Sequence, residues 1–304
     1  MIITKRIFIG NVVKGSMRDF LIICLISVSA YLLNEYFLKY YFDSPGIIPA
    51  VMGTALAFFI GFNNNQAYDR WWEARKIWGA LVNDSRSWAR QIINYTRVSD
   101  GFDDNELNKF RKRTIHRHIA FLYALKENLR GSDNKEYQKY ISNDEFESVE
   151  LETNRQNAIL NYQSKDIELL YEKGSIDGFK FIELNKMIVN FCDEMGMSER
   201  IKNTVFPPTY HRYTLIFIWV LIASITIATE SDIGYWSILF GILIGLIFVI
   251  TQSIGLTLLN PFDDLISGIP LNQITRTIEI NLLEALKESD IPEPVKSVKN
   301  KYIM

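Results

Sequence analysis

The sequence predicts an all-α integral membrane protein in which four transmembrane helices, two near each end, flank one large helical domain. Three observations point there. The chain of 304 residues is 48% hydrophobic and 22% charged, too charged overall to lie wholly in lipid, so its apolar residues must be segregated. They are: long uncharged stretches cluster toward both ends, and most charges lie between them. No proline occurs between Ala50 and Phe206, where apolar residues recur at the three-to-four spacing of amphipathic helices.

The first apolar span covers Phe20 to Leu33 and resumes at Tyr36, Phe37 and Leu38. Its length would also suit a buried helix of a soluble protein. The second runs from Pro45 to Tyr68, the third from Tyr213 to Thr229 and the fourth from Ile233 to Phe262. Each can cross a hydrocarbon layer of roughly 30 Å at about 1.5 Å per residue. Backbone groups in lipid must bond within their own segment, so these spans are expected to be helices.

Four spans place both termini on one side. The short links at Tyr40–Ser44 and Glu230–Asp232 carry acids, whereas Lys5, Arg6, Lys14, Arg18, Arg70, Arg75, Lys76 and Arg212 lie at the opposite ends of the spans. That asymmetry predicts cytoplasmic termini and a cytoplasmic helical domain. The opening MIITKRIF has no cleavable-signal pattern, so the first span is expected to be a retained anchor. Cys24 and Cys192 are read as packing residues rather than a disulfide. A formal net charge of -2 without a dense basic block argues against nucleic acid.

Within the domain, one helix is expected to leave the second span through Arg70, Trp71, Trp72 and Trp78 to about Tyr95. A loop at Ser99-Asp100-Gly101 precedes a helix from about Asn105 to Leu129, which ends before Gly131. Turns are expected near Ser132–Glu136 and Glu172–Ser175, and Pro207-Pro208 closes the domain. Leu271, Ile274, Ile278, Leu282 and Leu286 form the apolar face of a terminal helix that should dock on it.

Residues able to carry catalysis are sparse, and no enzyme is predicted. His116 and His118 sit two apart, a poor spacing for sharing a metal on a helix. His211-Arg212 reads as an interfacial anchor. Asp263-Asp264, with Asn260, could ligate a cation or occupy an exposed turn after Asn260-Pro261. Phosphate loops, serine-nucleophile motifs and paired-cysteine metal patterns are absent from the sequence, and no cofactor is expected.

The second span is more informative. Thr54, Phe58 and Phe62 recur at four-residue intervals, so they lie near one helix face over about 12 Å. The amides Asn63, Asn64, Asn65 and Gln66 follow before Asp69-Arg70. An apolar stripe leading into neutral amides suits a constriction opening on a wetter vestibule, but periodicity alone favours Phe58 and Phe62 simply packing in a bundle. The second, third and fourth spans hold no charged side chain, which weakens a proton-coupled carrier. Any ion path would lie on the axis of a homo-oligomer, because four apolar helices do not readily enclose water.

The stretch Gly61-Phe62-Asn63-Asn64-Asn65-Gln66-Ala67-Tyr68-Asp69-Arg70-Trp71-Trp72-Glu73-Ala74-Arg75 closely resembles the signature of the bestrophin family, especially its bacterial and plant-thylakoid branch. Further matches are Gly15-Ser16, Ala120 with Leu129-Arg130-Gly131, Glu199-Arg200-Ile201 with Thr204 and Pro207, and Asn260-Pro261-Phe262. Nearly the whole chain is covered in order.

The resemblance implies a homopentamer whose second spans surround a central pore, with the helical domain forming a cytoplasmic vestibule. It places a pore neck at Thr54, Phe58 and Phe62, where Thr54 replaces the family's usual aliphatic residue, and a cytoplasmic aperture at Phe179, with Ile176 and Ile182 as fallbacks. It marks Arg70, Trp71, Trp72, Glu73, Arg75 and Pro261 as signature residues. The short acidic run at Asp263-Asp264 departs from the calcium clasp of animal members, which puts calcium activation in doubt.

The expected division is residues 1–68 for the N-terminal segment and first two spans (pore helix over about 46–66), 69–208 for the cytoplasmic domain, 209–260 for the last two spans and 261–304 for the docking helix. The expected activity is passive conduction of small monovalent ions, anions such as chloride favoured. A sodium or potassium channel of the same architecture is the alternative, ahead of a non-conducting scaffold or a secondary carrier. The expected partners are membrane lipid, permeating ions and further copies of the chain.

Overall fold

The computed structural model describes residues 17–41, 44–204 and 208–297. Among these every regular element is helical, apart from one isolated bridge between Ser99 and Phe102. The α-helices are α1 (Met17–Tyr36), α2 (Ile47–Tyr95), α3 (Asp104–Arg130), α4 (Asn143–Glu150), α5 (Arg155–Glu172), α6 (Gly178–Asn203), α7 (Pro208–Ile233), α8 (Trp236–Leu256) and α9 (Leu271–Ala285). Short 3-10 turns add Leu38–Tyr40 and Glu136–Tyr140. Four of the helical stretches are long and apolar enough to cross a membrane: Met17–Tyr40, Ile47–Tyr95, Thr209–Ile233 and Trp236–Leu256.

The chain forms two compact units, and α2 contributes to both, with the division falling between Trp71 and Trp72. The first unit gathers the described residues of 4–71 and 205–260. Its core consists of Ile23 from α1, Leu56 and Ile60 from α2, Ile218, Leu221 and Ile222 from α7, and Val249 from α8. The helices approach closely because α8 carries Gly241 and Gly245 one turn apart. A Cβ at Gly241 would lie 2.4 Å from Thr226 Oγ1, and one at Gly245 would lie 2.5 Å from Ile222 Cδ1. The small-residue spacing seen in the sequence is therefore a packing contact. At the far ends of α1 and α7, Asn34 Nδ2 donates to Glu230 Oε2 at 2.9 Å.

The second unit comprises Trp72–Thr204 and the described residues from Pro261 onward. Helix α3 is its centre, with Ile115, Ile119, Ala120, Phe121, Leu122 and Leu125 buried. A reciprocal capping box between Asp103 and Glu106 starts α3, and Gly131 in a left-handed conformation (φ 65°) ends it. Each device satisfies backbone groups that a helix end leaves orphaned. Helix α9 buries Leu271, Ile274, Ile278 and Leu282, the expected apolar face. It is anchored on α3 through Glu279, whose carboxylate accepts from the Tyr123 and Tyr140 hydroxyls.

Two expectations need correction. Pro208 opens α7 instead of only closing what precedes it, a favourable place because the first helical residue needs no N–H partner; Pro207 lies outside the described residues. Cys192 is exposed, so it is not a packing residue within the chain, while Cys24 is half-buried.

Candidate functional site

Helix α2 presents two contrasting faces in the first unit. Leu56, Ile60 and Ala67 are buried against its neighbours. Thr54, Phe58 and Phe62 are exposed together, with Phe58 at 77% and Phe62 at 63%. Within the chain, the two rings therefore fill no bundle interior. Thr54 Oγ1 donates to the Ala50 carbonyl at 2.9 Å, which leaves its oxygen lone pairs free to accept.

The amide run does not act as one set. Asn64 Nδ2 donates to the Thr251 carbonyl of α8 at 2.8 Å. Gly255 makes room for that side chain, since a Cβ there would stand 2.0 Å from Asn64 Oδ1. Asn65 and Gln66 remain exposed, whereas Asn63 is half-buried. The sequence reading put all four amides at a wet opening; the geometry assigns Asn64 to holding α2 against α8. The only sequence signal for this was a glycine in a distant helix.

In the second unit, Phe179 is 85% exposed and Ile182 56%, while Ile176 is buried. Phe179 sits in the first turn of α6, whose start is fixed by Asp177 accepting from the Lys180 backbone N–H at 3.0 Å. That hydrogen bond holds the Asp177 carboxyl below its ordinary range. Lys180 Nζ adds a bond to the Tyr95 carbonyl at 3.1 Å, tying α6 to the end of α2, and lies 3.6 Å from Asp177.

Segments far apart in sequence meet around the signature residues. Glu73 pairs with Arg200 at 2.8 Å. The neighbouring Glu199 accepts from Gln156 at 2.6 Å and from Asn128 and Asn154 at 3.4 Å. Arg130 pairs with Asp264. Trp71 stacks on Tyr68, Arg75 is half-buried, and Trp72 is 46% exposed.

The possible cation ligands resolve differently. After Pro261 and the buried Phe262, the Asp263 carbonyl accepts from Leu265 N at 2.8 Å and the Pro261 carbonyl from Ile269 N at 2.7 Å, a tight turn. Asp264 is engaged by Arg130. No group of three or more metal-ligating side chains occurs among the described residues. His116 Nε2 meets Glu288 at 2.6 Å, while His118 is wholly buried with Nε2 2.9 Å from Ser85 Oγ. Desolvation pushes His118 down to about 3, so it is neutral. His211 Nδ1 lies 3.0 Å from Gln252 Nε2.

Sequence reasoning passed over Glu194 on α6. It is 4% exposed, and its Oε2 has no hydrogen-bond partner among the described residues. Burial pushes its carboxyl up to about 8, with Asp84 and Asp193 adding repulsion.

These features were compared with known proteins. The family model described as "Bacterial/Fungal Bestrophin protein" matches residues 2–284. The voltage-dependent anion channel-forming protein YneE of Escherichia coli (strain K12) is 26% identical over 297 residues, covering 96% of this chain and 94% of that protein. A protein of Ralstonia nicotianae, also called voltage-dependent anion channel-forming, is 26% identical over 275 residues, covering 90% and 88%. The crystal structure of a bacterial bestrophin homologue from Klebsiella pneumoniae superimposes with a TM-score of 0.81 at 22% identity, covering 90% of this chain and 99% of that one. With the signature residues and four membrane-capable helices in place, the chain is a membrane protein of the bacterial/fungal bestrophin family.

Proposed function

We propose that the chain assembles as a homopentamer and conducts small monovalent ions passively along the axis, with anions favoured. One observation carries the reading: α2 has a buried face and an outward face bearing Thr54, Phe58 and Phe62 in register. Rings left uncovered by their own chain call for an axial arrangement in which copies face one another. Five such faces make an apolar neck that opens by wetting. The exposed Phe179, rather than the buried Ile176, is the aperture in this reading, with Ile182 one turn further along α6. In this reading the membrane is a bacterial-type inner membrane, and the basic flanks support termini and a second unit on its cytoplasmic side.

Anion preference rests on the electropositive edges of phenylalanine rings at the neck and aperture. The names of the Escherichia coli and Ralstonia relatives point the same way. One feature favours a cation channel instead: the ionised Asp177 lies two residues from Phe179, although Lys180 stands beside it.

Reversal potentials in a salt gradient, measured on purified protein in a bilayer, test the selectivity. A shift toward the chloride potential is expected; a shift toward the cation potential would reject it. Mass in mild detergent tests the assembly: five copies are expected, a closed ring of another number would reject the pentamer, and a monomer would remove the axial pore.

A further inference from the structure

A second candidate site is built from residues that belong to neither the neck nor the aperture. Lys109, Lys112, Arg113 and His116 recur along one face of α3 over two turns, and Lys139 and Ser142 close a cleft of about 330 Å³ opposite them. Four permanent cations line it against one carboxylate, Glu145. That carboxylate is spent elsewhere: both its oxygens bond to the buried Arg117 guanidinium. Arg113 shares Asp166 with Arg117 at 3.2 Å, and Lys112 pairs with Glu288 at 3.1 Å. Lys109 and Lys139 have no carboxylate within 4.0 Å among the described residues, so their charges are uncompensated.

The cations converge. Burial holds the His116 imidazole below its ordinary value, and the charges of Lys112 and Lys139 depress it further, against the opposing pull of Glu288. Like charges this close repel, and an anion entering the cleft relieves that repulsion. The edge of the same surface already holds an anion from within the chain, because the Glu288 carboxylate bridges Lys112 and His116. The walls fix the kind of ligand. The cleft is concave and small, bounded by Tyr140 and Ile141. Its volume is at the lower end for small-molecule pockets and leaves no room for a peptide helix. Several ammonium groups around a short trough suit clustered phosphate oxygens better than a single carboxylate.

We propose that this cleft binds a short soluble phosphate chain, a di- or triphosphate, held by Lys109 and Lys139 with Lys112 and Arg113 at its sides. The test is calorimetric titration of inorganic tripolyphosphate into the full chain in phosphatidylcholine nanodiscs, a readout independent of ion conduction. Saturable binding is expected, weakened roughly tenfold or more by Lys109→Gln with Lys139→Gln, given the usual strength of charge-assisted bonds. Both lysines are exposed, so the double variant should keep the melting temperature. Removing a charge elsewhere, by Lys186→Gln on α6, should leave binding unchanged. Absent saturable heat, or heat indifferent to the double variant, would overturn the proposal. A parallel titration in discs that also carry phosphatidylinositol bisphosphate separates the sources: undiminished affinity supports a soluble ligand. Competition by the lipid would overturn that assignment in favour of a headgroup.

Discussion

Phe58 and Phe62 leave most of their ring area uncovered within the chain. In the proposed neck that area repels water from the path, so Phe58→Ala or Phe62→Ala should lengthen open times in single-channel records. Unchanged currents in both variants would remove the neck. Glu194 and His118 give opposite pH dependences. Unfolded, Glu194 ionises near its ordinary value of 4.5, whereas folded it keeps its proton until about 8. Its contribution to stability is complete below the lower value and is lost as pH rises through the upper one. His118 stays neutral in the folded chain to about 3, against an ordinary 6.5, so its contribution is complete above 6.5 and is lost as pH falls. Melting temperature should therefore decline from pH 6 toward pH 8.5, and Glu194→Gln should flatten that decline by a few degrees, roughly the scale of 1 kcal/mol or more in a chain of this size. A parallel decline in the variant would show that Glu194 does not titrate there.

At the scale of elements, helix contacts are set by small residues and helix ends by polar ones. Gly241→Ala places a methyl 2.4 Å from Thr226 Oγ1, and Gly245→Ala places one 2.5 Å from Ile222. Overpacking of this kind costs about 1–3 kcal/mol. Each variant should melt several degrees lower, and an unchanged melt would mean that α7 and α8 separate easily. Helix α9 is held by one carboxylate meeting two hydroxyls and Arg276 at 2.9 Å. Glu279→Ala leaves Tyr123 and Tyr140 without that acceptor, and unsatisfied buried groups cost about 1–3 kcal/mol each. The expected outcome is faster proteolysis at the α9 end, with the apolar face of the helix remaining the larger attachment. Much of this level was legible. Helix α2 ends at Tyr95 as the spacing predicts, α3 runs one residue past its predicted range at each end, and α9 covers the predicted apolar positions from Leu271 to Leu282. Pro208 differed because a proline preceded by a break in one helix is also a good start for the next.

For the whole molecule, the decisive contrast is between what each chain covers and what it leaves exposed. Exposed apolar rows on α1 and α8, including Leu21, Leu25, Leu243 and Ile247, face outward and suit lipid. The exposed face of α2 differs in chemistry: it bears Thr54 with the rings of Phe58 and Phe62 and runs on into the exposed amides Asn65 and Gln66. If copies surround that face, cross-linking through the chain's many lysines with an amine-reactive bifunctional reagent should give a ladder ending at five; a ladder ending at two would replace the ring with a dimer.

The sequence by itself determined the helical class, the four membrane-capable segments and the family, because these depend on local periodicity, charge segregation and contiguous motifs. It also located the face of α2, since residues four apart share a face on any α-helix. Only the tertiary structure decided that Asn64 is tied to Thr251 while Asn65 and Gln66 stay exposed, that Phe179 is exposed where Ile176 is buried, and that Glu194 is enclosed with its Oε2 unpartnered among the described residues. The same holds for the cleft beside α3, where Lys139 joins cations about thirty residues earlier in the chain. Burial and charge balance arise from neighbours brought in by other helices. Spacing along one helix says which side chains travel together, but not what will stand opposite them.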